Sequence, residues 1–569
     1  MKISKNIIKS CVAGILTVTA TSCSDFLDIA PLNDIVQDKF WNSESDVENI
    51  VAGCYSAMQS QAVVERMMAW GEFRSDNITG GTNYQNNESL SNLLKENITA
   101  KNVYTQWSAF YDIINRCNVV LEYAPQVAEK DPNFTESELK ATEAEVTVLR
   151  DMCYFYLIKA FRDVPFSTEA YLSDTQKMDI PATPFYTVLD SLVSDLERVR
   201  PYAVSKYPTS KPKYQYARVT RQTINALLCE MYLWKKDYAN CIRYADLIID
   251  DKMNEYEQTY KNSTLVKLYN GFTLISDDTY SSKGYFFNII FGKMMSDAGS
   301  FENIFELEYD MDETMIKNGA VSYYYGNQTT FPGIVKPADF ISSDVSNELY
   351  KVFNDKFDVR YYANLISAGS SQYGISKYAN NYISVQVTSA GISNTSTTLN
   401  YYAENNCYAN WILYRLTDIM LLKAEALTQQ VTEGDSERNQ ELLHEAFDIV
   451  SAINERACCG STYTPLSFES YSSKTQMENL VMQERQRELM FEGKRWFDLV
   501  RRSLRDGNTN YLVSQVSRRG SDNASVVQSK LARMDAIFWP YNLDELKVNS
   551  NLKQNPAFGS GEDSSYEKN

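Results

Sequence analysis

Glu484 and Arg487 stand three residues apart in the stretch Gln483-Glu-Arg-Gln-Arg-Glu-Leu-Met-Phe-Glu-Gly-Lys-Arg-Trp-Phe-Asp-Leu-Val-Arg-Arg502. A carboxylate and a guanidinium one helical turn apart could move a proton or clamp a polar substrate. The same spacing also makes an ion pair that fixes one helix against its neighbour, and structural pairs cluster in this way too. On a helix, Leu480, Glu484, Arg487 and Phe491 share one face, so the charges sit between apolar ends, and Val481, Leu489 and Trp496 share a second. That arrangement favours the structural pair. Gly493 would cost about 1 kcal/mol relative to Ala inside a helix, so it breaks the run or admits close packing.

Other catalytic chemistry finds little footing, and no residue is assigned a catalytic role. His444 is the single histidine, which removes most Ser-His and Cys-His nucleophile pairs and His-ligated zinc. It falls in a helical pattern, as a packed or exposed surface residue. Glycoside hydrolysis needs only two carboxylates at a suitable separation, and 73 acidic residues leave that class open. No Gly-rich phosphate loop, nucleophile elbow or zinc signature occurs. No metal ligands and no cofactor are expected.

Binding chemistry is better represented. The chain holds 40 tyrosines, many beside polar turn formers: Tyr323-Tyr324-Tyr325-Gly326-Asn327, Tyr361-Tyr362 and Tyr401-Tyr402. A tyrosine ring offers a flat apolar face to the C–H surface of a sugar, and its hydroxyl can hydrogen-bond. Residues 255–410, where these clusters lie, are dense in Tyr, Asn, Ser, Thr and Gly and poor in helical stripes. Most such rings are expected to pack the insert against the rest of the molecule.

The elements that must position these groups are helical. Glu138 to Phe161 reads as one long amphipathic helix. Pro184 to Val199 starts after a Thr183 N-cap with Pro in the first turn, and its partner begins near Thr220. Arg415 to Leu427 pairs with Glu441 to Arg456, and Met477 to Met490 with Gly493 to Leu504. Leu228-Cys-Glu-Met-Tyr232 and Asp237-Tyr-Ala-Asn-Cys241 resemble a tetratricopeptide hairpin, with Cys229 and Cys241 where small residues let two helices approach. The expected fold is mostly α, a tetratricopeptide-like solenoid of about four hairpins in two blocks, about 138–250 and 410–505, around the loop-rich insert. No linker divides the chain, so 23–569 reads as a single domain.

The N-terminus supplies an address. Lys2, Lys5 and Lys9 precede a short apolar run from Cys11 to Ala20 and then Thr21-Ser22-Cys23. This is a secretory signal over 1–22, too short for a membrane span, and its end resembles a lipobox that would place diacylglycerol on Cys23. Ala20 departs from the usual Leu of that motif. The formal charge of −18 becomes about −21 without the signal lysines, a surface that repels nucleic acid. The basic clusters Arg501, Arg502, Arg505 and Arg518, Arg519 read as solvated helix ends. Cysteines beyond the signal lie mostly in helical patterns and read as buried, reduced thiols.

Phe491-Glu-Gly-Lys-Arg-Trp-Phe-Asp-Leu-Val500 closely resembles the C-terminal signature of the SusD/RagB family. Phe538-Trp-Pro-Tyr-Asn-Leu-Asp-Glu-Leu546 and Asn551-Leu-Lys-Gln-Asn-Pro-Ala-Phe558 resemble its closing motif. The resemblance implies a lipoprotein on the outer face of the outer membrane that captures glycans, or sometimes peptides, for a SusC-like TonB-dependent transporter. It places ligand contacts on the insert and on an early loop, here Phe73 to Tyr84. The candidate contacts are therefore Arg74, Asp76, Asn77 and Tyr84, with Tyr323, Tyr324 and Tyr325 from the insert. Trp107, in Trp107-Ser-Ala-Phe-Tyr111, resembles a core position of the family. A helical-repeat surface adaptor and a peptide-binding lipoprotein remain the alternatives, ahead of a glycoside hydrolase.

Overall fold

The computed structural model describes residues 40–559, except 174, 277–284, 292–299, 313, 343–351, 354–356, 368–371, 381, 383–384, 389–390, 395–399, 435, 460–462 and 520–523. Cys23 and the signal expected over 1–22 lie outside the described residues.

Side-chain caps set many helix starts. Thr135 and Glu138 form a capping box in which Glu138 Oε2 accepts from the Thr135 backbone N–H at 2.8 Å, satisfying an otherwise orphaned donor. Thr220 and Thr223 do the same for the helix that follows. One start differs from expectation. Pro184, not Thr183, is the N-cap of Phe185–Val199. Thr183 instead pairs with Val164 in a short antiparallel ladder, and Asp163 Oδ1 accepts from the Phe185 N–H at 3.0 Å. A cap was supplied from the preceding helix's end, which local sequence does not reveal.

The molecule is mostly helical. Helices α1 (Glu44–Met58) and α2 (Gln61–Met68) lead into a π-helical turn at Ala69–Phe73. Helices α3 (Ser108–Lys130) and α4 (Glu136–Phe161) pack as an antiparallel pair, and α5 (Phe185–Val199) lies against α4. Next come α6 (Arg221–Trp234) with α7 (Tyr238–Glu255), and α8 (Leu416–Gln430) with α9 (Glu437–Ala457). Although 160 residues separate them in sequence, α7 packs on α8, so the two helical blocks form one stack. Cys229 and Cys241 meet across the α6–α7 contact with their sulfurs 3.7 Å apart. None of the eight described cysteines forms a disulfide, and all but Cys459 are buried. Among the described residues no helix is long and apolar enough to cross a membrane.

The last hairpin joins α10 (Lys474–Leu489) to α11 (Arg495–Asp506). The helical stripe inferred through Phe491 and Trp496 is therefore too long: α10 stops at Leu489, and Phe491 and Gly493 both have positive φ, 68° and 70°. Only glycine adopts that conformation without strain. A Cβ on Gly71 would lie 1.8 Å from the Gly493 carbonyl oxygen. Gly493 breaks the run, and Gly71, lacking a Cβ, lets the π-helical turn touch it.

Short two-stranded ladders fasten the insert. Strand β1 (Ile78–Gly80) pairs antiparallel with β3 (Val335–Pro337), and β2 (Asn303–Leu307) with β4 (Trp411–Arg415). The first of these joins the early loop to the insert across more than 250 residues of chain.

Candidate functional site

The charges of the signature are spent on one another. Glu484 takes Arg360 at 2.6 Å and Arg487 at 2.7 Å. Glu488 takes Arg456 at 2.6 Å, Arg415 at 2.8 Å and Arg360 at 3.1 Å. Glu492 takes Arg415 at 2.8 Å and Lys377 at 2.9 Å. All these side chains are buried. Burial opposes ionisation of Glu488, yet Arg456, Arg415 and Arg360 together hold its carboxyl well below the ordinary carboxylate range. A carboxylate paired this way has no proton to give near neutrality and no access to a substrate. Glu484 and Arg487 are structural.

The arginines further along correct a second expectation. Arg501, Arg502 and Arg519 are buried rather than solvated. Arg501 makes a bidentate pair with Glu425, at 3.0 and 2.6 Å. Arg505 bonds Glu425 and Glu478, and Arg519 donates to the backbone carbonyls of Phe73 and Ser75. Spacing on one helix could not show the acidic partners waiting on others. His444 is exposed and stacks on Phe468, with ring centroids 3.6 Å apart.

The early loop divides in two. Arg74 is 1% exposed, and Asp76 and Asn77 are wholly buried. Arg74 pairs with Glu96 at 2.9 Å, donates to the carbonyls of Ala536 and Ile537, and lies 4.2 Å over the Trp496 ring. Asp76 accepts from Arg495 at 2.8 and 3.0 Å and from Gln486 at 2.9 Å. Asn77 accepts from Gln486 and donates to Glu72. Glu72 in turn accepts from the N–H groups of Phe491 and Gly493, capping the glycine turn, while burial lifts its carboxyl to about 7. These three candidates present no atom to a ligand here. Their polar groups are consumed in fastening the loop to α10, α11 and the closing segment.

Beyond Asn77 the loop turns outward. Gly80 sits against the Tyr84 ring: a Cβ there would lie 2.3 Å from it. The backbone N–H of Thr82 donates to the Gly333 carbonyl at 2.9 Å, and the Thr82 hydroxyl donates to that of Pro332 at 2.5 Å. Half-buried Tyr84 is thus held on the rim that β1 and β3 share.

The tyrosine triplet also divides. Tyr323 is 45% exposed, whereas Tyr324 and Tyr325 are buried. In the short helix Gly319–Tyr324, capped by Asn318, Ala320, Val321, Ser322 and Tyr324 face inward and Tyr323 is the exposed position. Tyr325 donates to the Phe491 carbonyl at 2.9 Å. The Tyr324 hydroxyl lies 2.9 Å from that of Tyr104, which takes a longer contact from Asn87 at 3.4 Å. Burial pushes both phenols up. The Tyr324 ring packs on Phe73 at 4.9 Å, and Tyr323 stands edge-on against Tyr324 at 4.8 Å. Glu65 and Arg66, paired at 2.5 Å, lie beside them. The structure therefore brings the two expected loops together as one edge, with Tyr323 outward on a buried aromatic support. Sequence reasoning missed Asn87, just past the early loop, and Tyr104 and Glu65, which come from two other segments. Among the described residues no group of three or more His, Cys, Asp or Glu side chains could hold a metal ion.

Known proteins share this architecture. Residues 302–558 match the SusD family, and residues 25–233 match a family described as starch-binding and associating with the outer membrane. The chain belongs to the SusD/RagB family. SusD-like protein P38 of Formosa agariphila is 26% identical, covering 98% of this chain and all of the relative. SusD-like protein P2 of the same organism is 23% identical over 86% of this chain and 90% of its own. A SusD superfamily protein from Bacteroides thetaiotaomicron superposes with a TM-score of 0.63 at 19% identity, covering 91% of this chain and 99% of that one. A solved structure described as a laminarin-binding SusD-like protein superposes with a TM-score of 0.58 at 18% identity, covering 91% of this chain and all of that one. At such identities the structures share the fold.

Proposed function

We propose that this protein is a non-catalytic glycan receptor, anchored at the outer face of the outer membrane through lipid on Cys23, that passes oligosaccharides to a SusC-like TonB-dependent transporter. The mature chain from Cys23 acts as one domain. The observation that carries the capture step is the exposed Tyr323 ring on its buried support, at the edge where the early loop and the insert are hydrogen-bonded together. A ring held rigidly loses little entropy when a sugar stacks on it. Tyr84 and Asn87, on the same loop edge, extend the platform.

The family descriptions and the laminarin-binding neighbour support a glycan as the ligand. The ion-paired burial of the signature acids supports a role without chemistry. Affinity electrophoresis in gels containing laminarin or starch tests the platform. Tyr323→Ala should lose retardation, by about 1–3 kcal/mol in binding if the ring behaves as aromatic stacking surfaces do elsewhere. Retardation equal to the parent protein would remove Tyr323 from the site. Cys23→Ala should leave the membrane fraction, and gentle detergent extraction should recover a β-barrel partner with the parent protein.

A further inference from the structure

A cavity of about 600 Å³ shares no lining residue with the Tyr323 edge. Its floor is α3 with Tyr154 of α4, one wall is Pro165, Ser167, Tyr171 and Met178 to Ile180, and the other is the C-terminal segment 545–552. Trp107, which sequence reasoning assigned to packing, packs on Phe161 and Tyr541 and also lines this cavity. Tyr111, Tyr154 and Tyr171 line it as well.

The hydroxyls of these tyrosines are committed to the protein. Tyr111 donates to the Pro165 carbonyl and Tyr154 to that of Ser167, each at 2.7 Å; Tyr171 bonds the Ser167 hydroxyl at 3.3 Å. Asn115 holds the wall in place by bonding both the N–H and the carbonyl of Tyr171, and Asn549 donates to the Ile180 carbonyl at 2.8 Å. The rings are thereby fixed as surfaces, and the walls are built from three separate parts of the chain. Two side chains at the mouth are apolar and wet, Met178 at 52% exposure and Val548 at 76%.

Polar specificity comes from one sign of charge. Asp112, Asp179 and Glu545 line the cavity, and among the described residues no lysine or arginine does. Arg116 is turned onto Asp112 at 2.9 Å through one carboxylate oxygen, and Asn551 contacts Asp179 through one oxygen at 3.4 Å. Glu545 also accepts from Trp107, and the remaining acceptor oxygens stand beside the half-buried rings of Tyr111 and Tyr171. Such a site suits a ring with an apolar face and hydroxyl donors around its edge, and it repels carboxylate and sulfate. The volume lies within the range of small-ligand sites.

We infer that this cavity is a second carbohydrate-binding site, specific for one or two neutral sugar units and set against anionic sugars. The choice of a saccharide as ligand rests on the glycan function proposed above; the neutrality of that saccharide rests on the carboxylates alone. A long glycan could then be held at two places, a rim that stacks and a cavity that encloses.

Saturation-transfer NMR with cellobiose, maltose and laminaribiose at millimolar concentration, with glucuronate as the anionic probe and lysine amide as the cationic one, tests the inference. The parent protein should take up at least one neutral disaccharide, and Tyr323→Ala should keep that signal. Ser108→Trp, which adds bulk from an exposed lining position, should weaken it about tenfold or more. The double variant Asp112→Asn with Glu545→Gln, which keeps the cavity's size, should narrow the preference for neutral sugar over glucuronate, and circular dichroism checks that each variant is folded. No neutral signal, a signal unchanged in Ser108→Trp, glucuronate binding as well as the disaccharides, or lysine amide binding better would each overturn it. Loss of laminarin or starch retardation in Tyr323→Ala with the disaccharide signal intact would separate this site from the rim. Disaccharide loss in Tyr323→Ala would assign the signal to the rim and overturn the cavity site.

Discussion

Two regions of this protein use the same residue types to opposite ends. Around Glu488, arginines and acids are sealed from water and every charge faces its opposite. At the edge carrying Tyr323, aromatic and polar side chains are half in water and rest on a fixed support. The boundary between them runs through single segments: Arg74, Asp76 and Asn77 are inside and Tyr84 is at the rim, while Tyr324 and Tyr325 are inside and Tyr323 is out. Residue type alone therefore says little about role. The inner region makes the fold single-valued, since a charge left unpaired in a dry interior is prohibitive. The outer one is free to meet a ligand because the inner one holds it still.

The largest effect should come from breaking the inner region. Glu488→Ala leaves Arg360, Arg415 and Arg456 without a shared partner, and should cost about 3–5 kcal/mol in urea unfolding, as breaking buried pairs does. A loss under about 1 kcal/mol would show that water enters the network and that the contrast with the rim is overdrawn.

Acid should act on the same region. Burial opposes ionisation of Glu425, but Arg501 and then Arg505 draw its carboxyl down to about 2 from the ordinary 4.5. A depressed carboxylate stabilises the folded state above pH 4.5, and that stability disappears as pH falls toward 2, up to about 3 kcal/mol. Glu425→Gln should flatten this stretch of the stability curve. Unfolding measured at pH 5 and pH 3 checks it.

Asp151 should run the other way. Burial, with the nearby Asp195 charge, raises its carboxyl to about 7 despite Arg150, and its Oδ2 has no hydrogen-bond partner. The folded state then holds this proton more tightly than the unfolded chain. Its contribution is full below pH 4 and fades as pH rises to 7, by up to about 4 kcal/mol. Asp151→Asn should reduce the loss of stability between pH 5 and pH 8; an unchanged slope would mean that Arg150 alone neutralises the group.

The smallest stability effect belongs to the rim. Tyr323→Ala should shift the unfolding free energy by no more than about 0.5 kcal/mol, as exposed substitutions do, while removing glycan retardation. Changing Tyr324 or Tyr325 with it would confuse the two regions, because both are buried and their loss empties the support. A large drop in stability from Tyr323→Ala alone would erase the distinction drawn here.

The sequence by itself determined the family, the helical character and the helix pairs. Those follow from local signals: the amphipathic run from Glu138 to Phe161, Thr220 before an apolar run, Gly493 between two helices, the run Phe491 to Val500. It also marked the two loops that meet at the rim. Tertiary structure decided which side chains in those loops face water. Arg74 is buried because Glu96, Trp496 and the carbonyls of Ala536 and Ile537 surround it, and Asp76 because Arg495 reaches it from more than 400 residues away. Arg501 is dry because Glu425 stands on another helix. A local pattern encodes backbone conformation, since that is settled within a few residues. Burial and charge pairing depend on partners distant in the chain, and only the folded stack brings them within reach.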